Sequence, residues 1–281
     1  MLKNIKKLIA LDNPIRLQYH KIRAILANIF YGFPSKDMII IWVTWTNWKT
    51  TTSNIIAKWL IESWKKVFMF STVNIIINGK EYQNDTKMTS PDAFELQRLL
   101  KIAKEQWCKY AVIETASHWL KMNRTWWLEY DIAVLTNITQ DHLDLHKTMK
   151  DYVDTKLSLF KNLIWYKRKP WVKKTAVINI DSNYSDLFLA ETFDSHYTYW
   201  TWHWANLVAK NIEDDWLITK FEVYVPWNNI NIETKLKWTF NIQNILASIG
   251  VFISLWIDTS EINNIIKKVN WIPWRMESIE N

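Results

Sequence analysis

The sequence is poor in the residues that let a chain turn. Of its 281 residues only 3 are glycine and 6 are proline, whereas average usage gives a chain of this size roughly twenty glycines. The single cysteine, Cys108, excludes an internal disulfide framework and fits a reducing, cytoplasmic compartment. No apolar run reaches the roughly 18 residues of a spanning helix, so no stable membrane insertion is expected. The basic N-terminus is not followed by an apolar stretch with a small-residue cleavage site. Lys and Arg form no dense block, which leaves nucleic acid without a dedicated stripe. The net charge of +7 serves solubility or an anionic small ligand such as a nucleotide.

What is in excess is tryptophan, with 20 residues, a surplus that nearly matches the glycine deficit. Aromatic core residues should fall mid-strand or on apolar helix faces. Most of these instead fall where the chain is punctuated. Trp64 in IESWKKV and Trp107 in KEQWCKY stand where a helix gives way to a strand, the position after a helix that favours glycine. Trp256 separates two helical patterns, Trp227 follows Pro226, and Trp200, Trp202 and Trp204 alternate through a polar loop. The pattern implies that most tryptophans stand for glycine, as when UGA codons meaning glycine are translated as tryptophan. Trp59, inside a helical pattern, and one of Trp126 and Trp127 fit a genuine indole. The rival is a Trp-rich module that binds sugar or single-stranded nucleic acid through exposed aromatics.

Residues 1–36 read as a basic helical segment ending near Pro34, with the amphipathic stretch Ile22–Phe33 expected on the core. Strands are expected at Met38–Ile41, Val67–Ser71, Tyr110–Ile113, Ile132–Leu135 and Ala176–Ile180. Helices are expected at Thr50–Lys65, Pro91–Gln106 and Asp151–Ile164, with Pro91 in a first turn. This alternation predicts an α/β fold with a mostly parallel sheet flanked by helices. Residues 195–237, with runs Ile218–Val225 and Ile230–Leu236, predict a smaller antiparallel sheet. Two helices, Phe240–Leu255 and Ser260–Val269, follow.

The stretch IWVTWTNWKTTT (Ile41–Thr52) becomes GVTGTNGKTTT from position 42 onward when its tryptophans are read as glycine. It then resembles the phosphate loop G-x-x-x-x-G-K-[ST] after a strand and before a helix, counting Trp42 or the closely spaced Trp45 and Trp48 as the glycines around Lys49-Thr50, with five residues between Trp42 and Trp48 where the motif has four. Such a loop closes backbone N–H groups and a helix N-terminus on phosphate. Trp45, Thr46, Asn47, Trp48, Lys49, Thr50 and Thr51 are therefore candidate ATP contacts. Lys49 would reach the β- and γ-phosphates and Thr50 would hold Mg²⁺. Read literally, the indoles would block the nucleotide.

With VIETASHWL (112–120), LTNITQDHLDLHKTMKDYVDTKLSLF (135–160), MTSPDAFELQRLL (88–100), WTFNIQNILAS (238–248) and IPWRMESI (272–279), the chain resembles the Mur ligase family. These motifs cover residues 38–281 in family order. The D-H-L-D-x-H-x-T-M run is most similar to the branch that adds the third residue of the peptidoglycan stem peptide. The resemblance implies a P-loop Mur ligase central domain over 37–270, preceded by a short segment, 1–36. Residues 271–281 would begin a linker to a further domain that the chain lacks.

The resemblance also implies roles. Lys49, Lys156 and His142 would be catalytic. Thr50, Glu114, His142 and Lys156, the last carbamylated, would hold Mg²⁺. Asn244 would bond adenine and Arg275 an ATP phosphate. Thr89, Ser90, Ser117, His118 and Arg124 would bind the acceptor nucleotide. Ala116, Met122 and Met88 depart from the family pattern in that stretch. The implied activity is ATP-dependent amide-bond formation on UDP-MurNAc-L-Ala-D-Glu by a monomer, with meso-diaminopimelate or L-lysine as the amine. Another Mur or folylpolyglutamate-type ligase, and a nucleotide-binding remnant without ligase activity, are the alternatives.

Overall fold

A computed structural model describes residues 13–268 apart from 45–47, 87, 139–145, 147, 202–204, 216, 226 and 237. Helix α1 (Pro14–Phe30) starts with Pro14 in its first turn and Asn13 as its cap, whose side chain accepts from the Ile15 N–H at 2.9 Å. Only Ala24, Ala27 and Asn28 are buried on it. Ile15, Tyr19, Ile22, Leu26, Ile29 and Phe30 face outward. The stretch Ile22–Phe33 packs on the rest of the protein as expected, but through its small residues: Ala24 and Ala27 let the helix approach Ala93 and Phe94 closely.

Eleven described strands form one sheet. In chain order they are β1 (Ile39–Thr44), β2 (Val67–Phe70), β3 (Asn74–Ile77), β4 (Lys80–Gln83), β5 (Tyr110–Thr115), β6 (Ile132–Leu135), β7 (Thr175–Asn179), β8 (Ser195–Trp200), β9 (Leu207–Asp214), β10 (Thr219–Val225) and β11 (Asn228–Thr234). Spatially they run β11-β10-β9-β8-β7-β6-β1-β5-β2-β3-β4. The stretch from β2 through β5, β1, β6, β7 and β8 to β9 is parallel. Antiparallel pairs extend it at both ends, β9–β10–β11 and β2–β3–β4. The antiparallel strands therefore continue the main sheet through the β8–β9 pairing instead of forming one of their own.

Both faces are covered, as crossover helices require. They are α2 (Lys49–Glu62), α3 (Ala93–Glu105), α4 (Ser117–Lys121), α5 (Met149–Trp165), α6 (Ser185–Leu189), α7 (Thr239–Ser254) and α8 (Thr259–Lys268). Strand alternation divides the core. Ile41 and Val43 of β1 join Ile55, Ile245 and Ile262 on one face. Ile40 and Trp42 join Leu100, Ile113 and Phe160 on the other. Helix α3 begins at Ala93, with Asp92 accepting from the Phe94 N–H at 3.1 Å. Pro91 thus precedes the cap instead of lying in the first turn.

Helix ends show what the tryptophans do. After α1, Gly32 at φ 69° closes the helix, with Phe33 N–H donating to Asn28 O at 2.9 Å and Gly32 N–H to Ile29 O at 3.2 Å. This paired closure favours glycine, because an L side chain is strained at positive φ. Trp64 (φ 61°), Trp107 (φ 65°) and Trp256 (φ 58°) close α2, α3 and α7 with the same two bonds. They are 95%, 71% and 82% exposed, so packing does not hold them there. Among the described residues, six of the ten non-glycine positions with positive φ are tryptophan. Trp59 differs, being fully buried inside α2 with its ring edge-on to Phe252 at 5.4 Å.

The N-terminal edge of the sheet is fastened by Asp131. Its carboxylate accepts from the Ile40 N–H at 2.9 Å, from Lys169 Nζ at 2.5 Å and from Lys174 Nζ at 3.3 Å, all buried. Lys169 also donates to Met38 O at 2.6 Å.

Candidate active site

The chemistry gathers at the opposite, C-terminal edge, where parallel α/β sheets bind ligands. Strand β1 ends at Thr44 and α2 starts at Lys49. Trp45, Thr46 and Asn47 lie outside the described residues. Trp48 precedes α2 at φ 72°, ψ 5°, a conformation glycine takes freely. Its ring stacks on Phe240 with centroids 3.8 Å apart. Trp238, before α7 at φ 81°, ψ 140°, continues the stack 6.4 Å from Phe240.

Thr50, in the first turn of α2, donates its hydroxyl to Glu114 Oε2 at 3.1 Å. Glu114 sits on β5, which pairs with β1 in parallel and places Glu114 beside Val43. Thr72, just beyond β2, donates its N–H to Glu114 Oε2 at 2.8 Å and its hydroxyl to Oε1 at 3.1 Å. Burial pushes the Glu114 carboxyl up, and the Lys49 charge and these hydrogen bonds pull it back. A buried carboxylate beside a hydroxyl is a hard-oxygen donor set that suits Mg²⁺. Among the described residues no three His, Cys, Asp or Glu side chains converge to hold a metal.

From Glu114 the polar chain continues into the acceptor stretch. The Thr72 and Thr89 hydroxyls are 3.0 Å apart. Ala116 N–H reaches Ser90 Oγ at 3.4 Å. Ser117 opens α4 and lies 3.0 Å from His146 Nε2. The His118 and His146 rings are 6.4 Å apart. Arg124 lies near Arg16, Arg23 and Asp92; burial lowers its pKa, Asp92 raises it, and the two arginines lower it again. Sequence reasoning did not single out Thr72 or His146. His146 was legible from the second histidine of the D-H-L-D-x-H run, whereas Thr72 reaches Glu114 only because β2 pairs with β5.

Lys156 is fully buried on α5, its Nζ 4.7 Å from the Tyr152 ring centroid. Asn244 is fully buried on α7, accepts from the Thr52 hydroxyl and donates to Asn241 Oδ1, both at 3.1 Å. Its amide thus ties α7 to α2. His142 and Arg275 fall outside the described residues.

Comparison with known proteins gives a consistent set of matches. The family model for the Mur ligase middle domain matches residues 43–252. UDP-N-acetylmuramoyl-L-alanyl-D-glutamate–2,6-diaminopimelate ligase of Bacillus cereus is 34% identical over 275 residues, 97% of this chain and 55% of that protein. The same-named ligase of Geobacillus thermodenitrificans is 34% identical over 259 residues, covering 92% and 52%. Among solved structures, a ligase of that name superimposes with TM-score 0.80 at 24% identity, covering 93% of this chain and 53% of that one. Folylpolyglutamate synthetase from Lactobacillus casei follows with TM-score 0.67 at 16% identity, covering 93% and 70%. The chain spans about half the length of the curated relatives it matches.

Proposed function

The chain belongs to the Mur ligase family, and on that premise we propose that it is the ATP-binding part of an amide-bond ligase. The reaction we assign adds the third stem-peptide residue to UDP-MurNAc-L-Ala-D-Glu. The observation that carries the reading is the Lys49–Thr50–Glu114 arrangement, in which a helix N-terminus, a cation and a buried carboxylate meet at one strand edge.

In the first step an oxygen of the terminal D-Glu carboxylate attacks the γ-phosphorus of ATP. The bond from that phosphorus to the bridging oxygen breaks, giving ADP and an acyl phosphate. In the second step an amine of meso-diaminopimelate or L-lysine attacks the acyl carbon, expels phosphate and loses a proton. The first step brings carboxylate and triphosphate together, so cationic stabilisation must dominate. Lys49 and the N–H groups at the start of α2 supply it on the protein side. Thr50 and Glu114 would hold Mg²⁺, with His142 and a carbamylated Lys156 at a second ion. Bound Mg²⁺ neutralises the charge that builds up on the phosphates. Thr89, Ser90, Ser117, His118 and Arg124 would orient the acceptor. Arg275 would meet phosphate, and Asn244, whose amide has a second N–H and a second lone pair beyond those used by Asn241 and Thr52, would bond adenine. The preference for the third stem residue is supported by the names of the curated relatives. Residues 37–270 are assigned to the central domain, with 1–36 as a short leading segment and 271–281 opening a linker, in a cytoplasmic monomer. No described helix is long and apolar enough to cross a membrane.

We further infer that most tryptophans, including Trp45 and Trp48, are glycine in the protein as its gene specifies it. The support is the sharing of one helix closure by Gly32, Trp64, Trp107 and Trp256. Peptide mass spectrometry of the native protein reads this directly: a residue of glycine mass at positions 48, 64, 107 and 256 is expected, and tryptophan there overturns it.

The ligase reading is tested by ATP-dependent incorporation of labelled diaminopimelate or lysine into UDP-MurNAc-L-Ala-D-Glu by the glycine-decoded protein. Product release with ADP is expected, and it should vanish in Lys49→Ala. ATP binding without product would instead identify a nucleotide-binding remnant.

A further inference from the structure

The second histidine of the D-H-L-D-x-H run takes no part in the reaction as assigned, yet it is fully buried between two parts of the site. Its Nε2 lies 3.0 Å from Ser117 Oγ, at the start of α4. Its Nδ1 lies 3.7 Å from Asp151 Oδ2, in the first turn of α5. Asp151 is fixed in turn: Lys121 Nζ, at the end of α4, is 2.5 Å from the same oxygen, and the Asp151 N–H donates to Thr148 Oγ1 at 3.1 Å. The Tyr152 ring meets the imidazole edge-on at 5.0 Å and also lies beneath Lys156. One ring thus touches the acceptor stretch on one side and the helix of the buried lysine on the other.

We infer that His146 is a positioning residue that sets the direction of the Ser117 hydroxyl, and through it the kind of group Ser117 can recognise. This rests on the ligase reading above. The two ring nitrogens are not equivalent, and the group facing one decides which carries the proton. At 3.7 Å the Asp151 carboxylate is beyond hydrogen-bond distance, but its charge still favours a proton on Nδ1. Nε2 is then an acceptor, and the Ser117 O–H donates to it. A hydroxyl has one donor and two lone pairs. With its proton turned to His146, Ser117 offers only lone pairs to a ligand. It therefore reads an N–H donor, such as an amide of the acceptor's L-Ala-D-Glu peptide, and does not contact a carboxylate. A purely structural His146 would hold α4 to α5 without fixing what Ser117 presents.

Two measurements on the chain test this. The first is ¹⁵N NMR of the imidazole, with the proton expected on Nδ1. The second is calorimetric binding of UDP-MurNAc-L-Ala-D-Glu and, separately, of ATP to the glycine-decoded parent chain and its variants. Ser117→Ala and His146→Ala should each weaken acceptor binding by about tenfold, the size of one lost hydrogen bond. ATP affinity should not change, and the double variant should be no weaker than either single one. His146→Gln, whose amide reaches the Nε2 position, should restore acceptor binding, whereas the shorter His146→Asn should not. Additive losses, parallel loss of ATP affinity, or a proton on Nε2 in a chain that binds the acceptor would overturn the inference alone. Failure of the parent chain to bind acceptor would overturn it together with the ligase reading. His146→Gln keeps the test open if His146→Ala does not fold.

Discussion

Thr50 and Glu114 are joined by a 3.1 Å hydrogen bond although 64 residues separate them in the chain. The bond links the first turn of α2 to β5 and fixes a carboxylate where water is excluded. Burial pushes that carboxyl above its ordinary value, against the pull of Lys49, Thr72 and Thr50. A carboxyl raised in the fold holds its proton more tightly there than in the unfolded chain. Stability should therefore fall as pH rises from about 4.3, the unfolded value, through the raised folded one. Glu114→Gln removes this dependence. Thermal melts at pH 8 should give the variant a higher midpoint than the parent, while Mg²⁺-dependent nucleotide binding is lost. A lower midpoint would mean that the three accepted hydrogen bonds outweigh the burial of charge.

His20 titrates in the opposite sense. Burial lowers its pKa to about 4, helped by Arg124, Arg16 and Arg23 and opposed by Asp92. The unfolded chain takes up this proton near pH 6.5, before the folded one does. Stability contributed by the neutral ring is present above that value and is lost as pH falls toward 4. The ring is only half-buried, so the loss should be small. His20→Gln should flatten the stability profile between pH 6.5 and 4, read by urea midpoints across that range. An unchanged profile would show that neither burial nor the arginines around the ring lower its pKa.

Asp131 holds two buried lysines and a backbone N–H at the far edge of the sheet. Removing one partner of a buried ion pair leaves an uncompensated charge and costs about 3–5 kcal/mol. Asp131→Asn keeps the shape and loses the charge, so chemical denaturation should show a loss of that order. Replacing Lys169 and Lys174 by Met in the same chain should recover part of it, because no unpaired charge then remains.

Much of this arrangement was legible beforehand, and the misses have physical causes. Ile132–Leu135 was read to the residue because a buried parallel strand is a continuous apolar run. The β3–β4 hairpin was missed although Asn78 and Gly79, at φ 50° and 82°, form the turn that an Asn-Gly pair signals. Strand β4 has no buried face, so its pattern carried no alternation. Residues 195–237 were expected to be antiparallel throughout, but β8 pairs in parallel with both β7 and β9. Strand direction depends on the crossover and not on residue type. At the site, Lys49, Thr50 and Glu114 were legible because their motif fixes backbone and chemistry together. Thr72 enters through strand order, which local sequence does not encode.

The tryptophans give the sharpest contrast in stability. Trp64, Trp107 and Trp256 are exposed and sit at positive φ, where an L side chain costs roughly 1–2 kcal/mol. Glycine removes that strain but gains roughly 0.5–1 kcal/mol of unfolded-state freedom. Each substitution to glycine in the literal sequence should thus be neutral to about 1 kcal/mol stabilising. The three sites lie at different helix ends, so the gains should add. Trp59 is fully buried inside α2. There, Trp59→Gly opens a cavity and places glycine mid-helix, which together cost about 4 kcal/mol or more. Chemical denaturation of the triple variant and of Trp59→Gly should move in opposite directions. Equal losses in both would mean that the exposed indoles are true residues whose strain is offset by contacts on the surface.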